Sequence, residues 1–535
     1  MPESAVDYLV IGAGTAGCVV ANRLSAQPDV SVTLLEAGGA DTNPAIYDPT
    51  LPALFSLWAP DGAENWGYVT TPQPNLDGRA IDIARGRVIG GSSAVNAMIY
   101  IRGHARDFDA WAYDGCDGWD YASVLPYFKR SETYHGRPSS FHGTDGPLSV
   151  IDYGDASPVS HAFVDAAAEL GASARYNDFN GADQSAGAGF YQSTRTPEGR
   201  RVTAASAFLS PISGRANLRI VTGARVLRLV IDGQRVTGIE YATADGVQTL
   251  RVNREAIVCA GAFESPKLLM LSGIGPADAL RALGLPVVCD IPEVGRNLQD
   301  HMLLGVGYEC PVDLPAPALL AEAGLFAHTR PGMAAASPDL QYFFGPVKFV
   351  PQQYLTDGPG FTFAPILARP HSRGQVTLAS ADARDNARVD PNYLSNEVDL
   401  EVLEYGIRFA RELVATAPFR GFRGREIAPG DQVTDRAGLR AYIRAAASTV
   451  WHACGTCRMG RDDASVVDPR LRVRGLDNLR VADASVMPRL VNGNPNAAIM
   501  MIGEKAADMI SNADTLAAAP SVSAASPSLA TAGRS

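Results

Sequence analysis

The feature that most limits how this chain can fold lies at its start. Asp7-Tyr8-Leu9-Val10-Ile11 is an apolar run of buried-strand type, and it passes directly into Gly12-Ala13-Gly14-Thr15-Ala16-Gly17. Ala16, Val19, Val20, Ala21 and Leu24 follow at helical spacing. Ser31-Val32-Thr33-Leu34-Leu35 reads as a second strand and ends at Glu36, 19 residues beyond Gly17. Strand, glycine turn, helix and strand make a parallel β-α-β unit whose two faces must both be covered. Each glycine has its own task. Gly12 makes the tight turn, Gly14 lets backbone approach a pyrophosphate, and Gly17 lets helix meet sheet. The N-terminus of the helix faces phosphate, and Glu36 can accept hydrogen bonds from an adenosine ribose. The unit predicts a dinucleotide cradle without separating FAD from NAD.

The rest of the chain must add further substructures, because 535 residues are too many for one small core. With 46 Lys and Arg against 57 Asp and Glu, the net charge of −11 disfavours binding to nucleic acid, which is held mainly by basic groups at phosphates. It also offers no basic face to anionic lipid. Seven cysteines are an odd number, so reduced thiols are expected rather than a disulfide framework. The acidic start Met-Pro-Glu-Ser-Ala-Val-Asp has no basic or long apolar leader, and no segment reaches the length of a membrane span. A cytoplasmic location is the default expectation.

An irregular section from Gly38 to about Arg85, rich in Pro, Asn, Asp and aromatics such as Trp58 and Trp66, is expected to be a functional covering excursion. Asp117 to Glu132 reads as a capped helix. Four strands are expected at Leu218–Val221, Val226–Ile231, Val236–Tyr241 and Glu255–Cys259, with Asp232-Gly233 and Asp245-Gly246 turns between them. A helix follows at Pro266 to Leu271. Residues 301–450 change character to short β-like runs (Leu340 to Phe344, Phe361 to Leu367, Gln375 to Leu378) and then helix from Glu397 to Ala415. The expected fold class is α/β: a Rossmann-like cofactor domain formed by 1–155, 205–305 and 450–512, with an α+β substrate domain built on an antiparallel sheet from 156–204 and 306–449. The Ala-, Ser- and Pro-rich stretch 513–535 has no periodicity and is expected to be a disordered tail.

Three further patterns bear on chemistry. Gly90-Gly91-Ser92-Ser93 is either a second anion-binding nest or a loop that needs positive φ. Cys454-x-x-Cys457 has no second cysteine pair and no histidine pair at ligand spacing, so packed thiols are expected and no metal. His452, after Val450-Trp451, is paired downstream with Asn494 in the loop Asn492-Gly493-Asn494-Pro495-Asn496. An imidazole has the right basicity to take a hydroxyl proton near neutrality, and an amide beside it can hold the oxygen.

Together these residues resemble the glucose–methanol–choline oxidoreductases, FAD enzymes that act on alcohols, over nearly the whole chain. Gly86 to Arg102 is similar to that family's first signature and Gly261 to Pro276 to its second, while Val294 to His301 and Leu479 to Ser485 match further family segments. The resemblance implies FAD rather than NAD. It places the adenosine end over Gly12, Gly14, Thr15, Ala16, Gly17, Glu36 and Ala37, with Val226 near adenine. Val88, Gly91, Ser92, Asn96, Ala97, Met98 and Ile99 are implied beside pyrophosphate and flavin, Asp483 and Ala484 at the ribityl part, and Trp451, Pro495 and Asn496 at the ring. His452 falls on the family's catalytic histidine and Asn494 on its second active-site position.

Members that bind FAD covalently do so through a histidine where this chain has Val95, which implies a dissociable cofactor. The glutamate of choline-oxidising members has no counterpart around Leu325 to Pro346, and Trp451 resembles members that oxidise aryl or furanic alcohols. The implied reaction is hydride transfer from an alcohol to the flavin N5, with His452 as base and Asn494 on the oxygen. Electrons then pass to oxygen or a quinone-like acceptor, and Val450 is compatible with oxygen. The alternatives are a hydroxynitrile lyase on the same scaffold and a non-catalytic flavoprotein.

Overall fold

The strand Ala5–Ile11 lies inside a seven-stranded sheet, flanked by Val32–Leu35 on one side and Gly246–Val258 on the other, both parallel to it. This is a computed structural model, and it describes residues 5–171, 178–182, 184, 187–317 and 319–518. Leu218–Val221 extends the parallel part beyond Val32–Leu35, and Leu479–Val481 adds a parallel strand beside the end of Gly246–Val258. Leu9, Val10, Leu34 and Ile257 have no exposed surface, as expected where helices cover both faces of a parallel sheet.

The strand Gly246–Val258 belongs to two arrangements at once. Its first half pairs antiparallel with Arg235–Thr243, which pairs in turn with Arg225–Asp232, while its second half joins the parallel sheet. The sequence reading expected only its last residues. The first half alternates exposed positions with buried Leu250 and Val252, and only the end is continuously apolar.

The chain's two ends are clamped together. The helix Thr15–Leu24 packs on the helix Asn496–Ala518, and a Cβ on Gly503 would stand only 3.0 Å from the Ala16 carbonyl oxygen. Buried Glu504 accepts Arg23 at 2.7 Å and Arg130 at 2.6 Å. Thr15 Oγ1 donates to Asn496 Oδ1 at 2.7 Å. The loop before the last helix is thereby held against the glycine turn. That helix runs six residues past Asn512, and residues 519–535 of the expected tail lie outside the described residues.

A second sheet of eight strands is antiparallel throughout. Its main path runs Glu426–Ala428, Val306–Glu309, Gly360–Leu367, Leu340–Gly345, Ala323–Ala327 and Gly187–Phe190. The helices Pro158–Glu169 and Glu397–Ala415 pack on it, and Phe163 stacks on Phe344 with ring centres 4.5 Å apart. The short pair Met302–Leu303 and Ser448–Thr449 stands at its edge. This pair delivers Asp300 and His301 from one segment and Trp451 and His452 from the other to the boundary between the two sheets. The expected helix at 117–132 spans Tyr121–Ser131, capped by the Asp120 carboxylate. Among the described residues no helix is long and apolar enough to cross a membrane.

Candidate active site

A cleft with about 1370 Å³ of empty space opens over the glycine turn. Gly12 sits at φ +99°, where a Cβ would strike the Cys259 carbonyl oxygen at 2.6 Å, and a Cβ on Gly17 would lie 1.8 Å from the Gly12 oxygen. Both glycines are required by the protein's own packing. Gly14 differs: its φ of −75° suits any residue, and among the described residues the first atom beyond its chain neighbours that a Cβ would meet is the Cys259 carbonyl oxygen at 3.9 Å. The space beside Gly14 is open cleft, which fits the close approach of a pyrophosphate. Gly91, at φ +54°, lies against Gly14, 2.6 Å from its Cα to a built Cβ, so the Gly90–Ser93 turn forms the other lip. Gly90 N donates to the Ala13 oxygen at 2.7 Å.

Glu36 lines the cleft beside the glycine turn. Its carboxylate accepts the Ala13 and Gly38 N–H groups, each at 2.8 Å. Burial is the main influence on it and pushes its pKa up to about 7. Asp483 accepts from Gly261 N at 2.8 Å and Ser265 Oγ at 2.6 Å, so it sits at the first turn of the helix Gly261–Leu271, where a negative charge is favoured.

Of the residues singled out in the sequence, Thr15, Ala16, Glu36, Ala37 and Val226 line the cleft with Gly12 and Gly14. So do Gly91, Ser92, Asn96, Ala97, Met98 and Ile99. Trp451, Asp483, Ala484, Pro495 and Asn496 line its far end with His452 and Asn494. Two do not. Gly17 is turned inward, against Gly12. Val88 is 1% exposed and packs with Ile46, Leu57, Ala94 and Val95, supporting the Gly91 turn through its carbonyl.

His452 and Asn494 stand where the cleft meets a second cavity of about 1040 Å³, and they line both. Asn494 Nδ2 is 3.2 Å from His452 Nε2. The other nitrogen, His452 Nδ1, lies 2.9 Å from His301 Nδ1, and His301 Nε2 lies 3.1 Å from the Ala368 carbonyl oxygen. These contacts settle the tautomers. A carbonyl only accepts, so His301 carries its proton on Nε2. Burial holds the His301 pKa down at about 3, so the ring is neutral and its Nδ1 is a bare acceptor. His452 Nδ1 must then be the protonated nitrogen, which leaves Nε2 with a lone pair facing Asn494. Burial, with His301 and the Arg85 guanidinium adding to it, pushes the His452 pKa well below the usual histidine value.

The backbone around the base is held tightly. His452 N donates to Asp300 Oδ1 at 2.7 Å, and the hydroxyls of Thr449 and Tyr393 donate to Asp300 Oδ2. Trp451 has φ +61°, costly for a bulky residue. It is fixed by Thr449 Oγ1, which accepts from its N–H at 2.7 Å, and by Arg85, whose Nη1 donates to its carbonyl at 2.9 Å. The Asn494 Oδ1 atom is buried and has no partner among the described residues.

Two family profiles, both described as GMC oxidoreductase, match residues 6–303 and 370–503. The chain belongs to the GMC oxidoreductase family. It is 41% identical to an alcohol dehydrogenase [acceptor] of Pseudomonas putida, over 94% of this chain and 95% of that protein. It is also 41% identical to an oxygen-dependent choline dehydrogenase of Sinorhizobium fredii, over 96% of each. Among solved structures it is similar to pyridoxine 4-oxidase from Mesorbium loti, with a TM-score of 0.89 and 36% identity over 95% of this chain and 99% of that one. A fungal aryl-alcohol oxidase gives a TM-score of 0.84 at 25% identity, over 96% of this chain and all of that one. All four are oxidoreductases by name, which weighs against the lyase alternative.

The cofactor of this GMC oxidoreductase is FAD, and Val95 offers no nucleophile for a covalent link. Sequence reasoning missed Arg85, the Cys259–Phe263 wall of the cleft and His301. Arg85 had no signal, because its role depends on a carbonyl 366 residues away. The wall is formed by the start of the second signature, and the histidine closed a family segment that was recognised but given no role. Gly14→Val tests the cradle. The apo fold should survive, since the backbone suits any residue and a Cβ there meets open space, while FAD affinity should fall by about 100-fold or more as the valine enters the space we propose for the pyrophosphate. Fluorescence titration of apoprotein with FAD, beside its thermal unfolding curve, reads both quantities.

Proposed function

We propose that this oxidoreductase converts a primary or secondary alcohol to its aldehyde or ketone, with His452 as the base and Asn494 as the group that positions the oxygen. The observation that carries this reading is the bare Nε2 of His452 beside the Asn494 amide, at the junction of the two cavities. FAD, when bound, supplies the hydride acceptor. The alcohol enters from the second cavity, and its hydroxyl donates to His452 Nε2 in place of Asn494. The released Asn494 Nδ2 donates to the alcohol oxygen and steadies the charge that grows there as the proton leaves. The proton stays on Nε2, and Nδ1–H remains bound to His301. Water exclusion by the surrounding aromatic side chains strengthens both contacts.

The acceptor that reoxidises the cofactor is oxygen or a quinone-like molecule, and Val450 on the second cavity leaves a small apolar approach for either. A cytoplasmic setting suits seven free cysteines. Anaerobic addition of an alcohol substrate should bleach the flavin; a flavin that stays oxidised with every alcohol would favour the non-catalytic alternative. Asn494→Ala should retain FAD but slow flavin reduction by about 10-fold or more, with a weaker apparent affinity for alcohol. An unchanged reduction rate and affinity would remove Asn494 from the oxygen.

A further inference from the structure

The second cavity carries a statement about substrate charge, resting on the reading that the alcohol enters there. Among the described residues that line it there is no aspartate and no glutamate. Its walls are mainly Trp58, Leu303, Leu320, Phe343, Phe349 and Val450. Among those same described residues the one permanently charged group is Arg85, a cation. Asp300, which braces the catalytic shell, is 5% exposed and spends its oxygens on Thr449, Tyr393 and the His452 N–H. His452 itself is neutral.

The approach to this cavity is apolar as well. Phe349 is 37% exposed and lines the cavity. Phe55, 44% exposed, contacts Trp58 with ring centres 5.6 Å apart, and Trp58 meets Trp451 edge to face at 4.5 Å. Trp58 is held in place by its Nε1–H, which donates to the Val95 carbonyl at 2.7 Å. A row of rings thus leads from the surface to the residue preceding the base.

We propose that this cavity selects uncharged alcohols with an aromatic or branched apolar body and turns away quaternary ammonium alcohols. An aromatic body gains burial against rings that are already ordered. A trimethylammonium head loses its hydration and finds no carboxylate. Cation–π attraction to the aromatic walls compensates in part, by about 0.5–2 kcal/mol, and the Arg85 charge opposes it. Choline, the namesake of one relative above, is therefore a poor substrate for this chain despite the overall likeness.

Matched pairs that differ in charge but not in shape test this. The holoenzyme is mixed anaerobically with choline or its neutral twin 3,3-dimethylbutan-1-ol, and with 4-(trimethylammonio)benzyl alcohol or 4-tert-butylbenzyl alcohol, and flavin bleaching is followed by stopped flow. Each neutral member should exceed its charged twin by about 100-fold or more in second-order reduction rate, and the benzyl pair should lead. Choline reducing the flavin as fast as its neutral twin would overturn the inference and leave alcohol oxidation standing. Bleaching by none of the four would overturn the functional reading beneath it. Val347→Asp, which adds a carboxylate to the cavity wall, should raise the choline-to-dimethylbutanol ratio at least about 10-fold; an unchanged ratio would remove electrostatics as the cause.

Discussion

His452→Ala should give a protein that binds FAD normally and reduces it with alcohol about 10²–10⁴-fold more slowly. The glycine turn, Gly91, Ser92, Glu36 and Asp483 line the cleft that we propose takes the adenosine and pyrophosphate, and the hydrogen bonds of the imidazole run instead to His301 and Asn494, so cofactor content should not change. What the variant loses is the one neutral base with a lone pair at the junction of the cavities. Positioning of the alcohol by Asn494 and the cavity walls survives and accounts for the residual rate. The wild-type pH profile follows from the sign of the His452 shift. Burial lowers its pKa well below 6.5, so the deprotonated, working form persists as pH falls from neutrality. The rate constant for flavin reduction should therefore be flat from about pH 8 to pH 6.5 and decline only at more acid pH. Single-turnover stopped flow across pH reads both expectations. Near-normal reduction in the alanine variant would remove His452 from the role, and a decline beginning above pH 7 would contradict a desolvated base.

Much of the cofactor cradle was legible because it is local. Strand, glycine turn, helix and Glu36 are contiguous, and their periodicities report directly on burial. Gly12 makes the tight turn that its spacing implies, and the space beside Gly14 is open cleft. Gly17 is also a packing glycine, but packing keeps it off the cleft, and Val88 is one layer behind it. Legibility fails where a residue's role is set by a partner far along the chain. Arg85 reads as the end of an irregular stretch until the Trp451 carbonyl stands beside it. The first half of Gly246–Val258 is half-exposed, and its alternation is weaker than the apolar end that was recognised. The final helix outruns its apolar stripe, so Ala518 ends an element whose last turns have no compositional mark. His301 shows the limit best. Its neighbours Leu298-Gln299-Asp300 match a family segment, but nothing local says that its ring meets another imidazole 151 residues on.

That second imidazole carries the other large expected effect. His301 touches neither cavity, so it is a positioning residue that acts through His452. Ala368 fixes the His301 proton on Nε2, the bare Nδ1 of His301 fixes the His452 proton on Nδ1, and Nε2 is left free toward the alcohol. In His301→Leu the acceptor disappears and His452 Nδ1–H is buried without a partner, at a cost of about 1–3 kcal/mol. The ring can relieve this by moving its proton to Nε2 or by turning over, and either change blocks the base. Holding a catalytic imidazole in the wrong tautomer costs up to about 10⁴-fold in turnover, so a fall of about 10²-fold or more in flavin reduction is expected. His301→Gln separates this role from simple packing. Its side-chain oxygen can accept from His452 Nδ1 while its amide donates to Ala368, which reproduces both contacts with a neutral group. It should recover reduction to within about 10-fold of wild type, with FAD affinity equal in all three proteins. A leucine variant that reduces its flavin at the wild-type rate, or a glutamine variant as slow as the leucine one with its fold intact, would show that the back-to-back histidines do not set the base's proton.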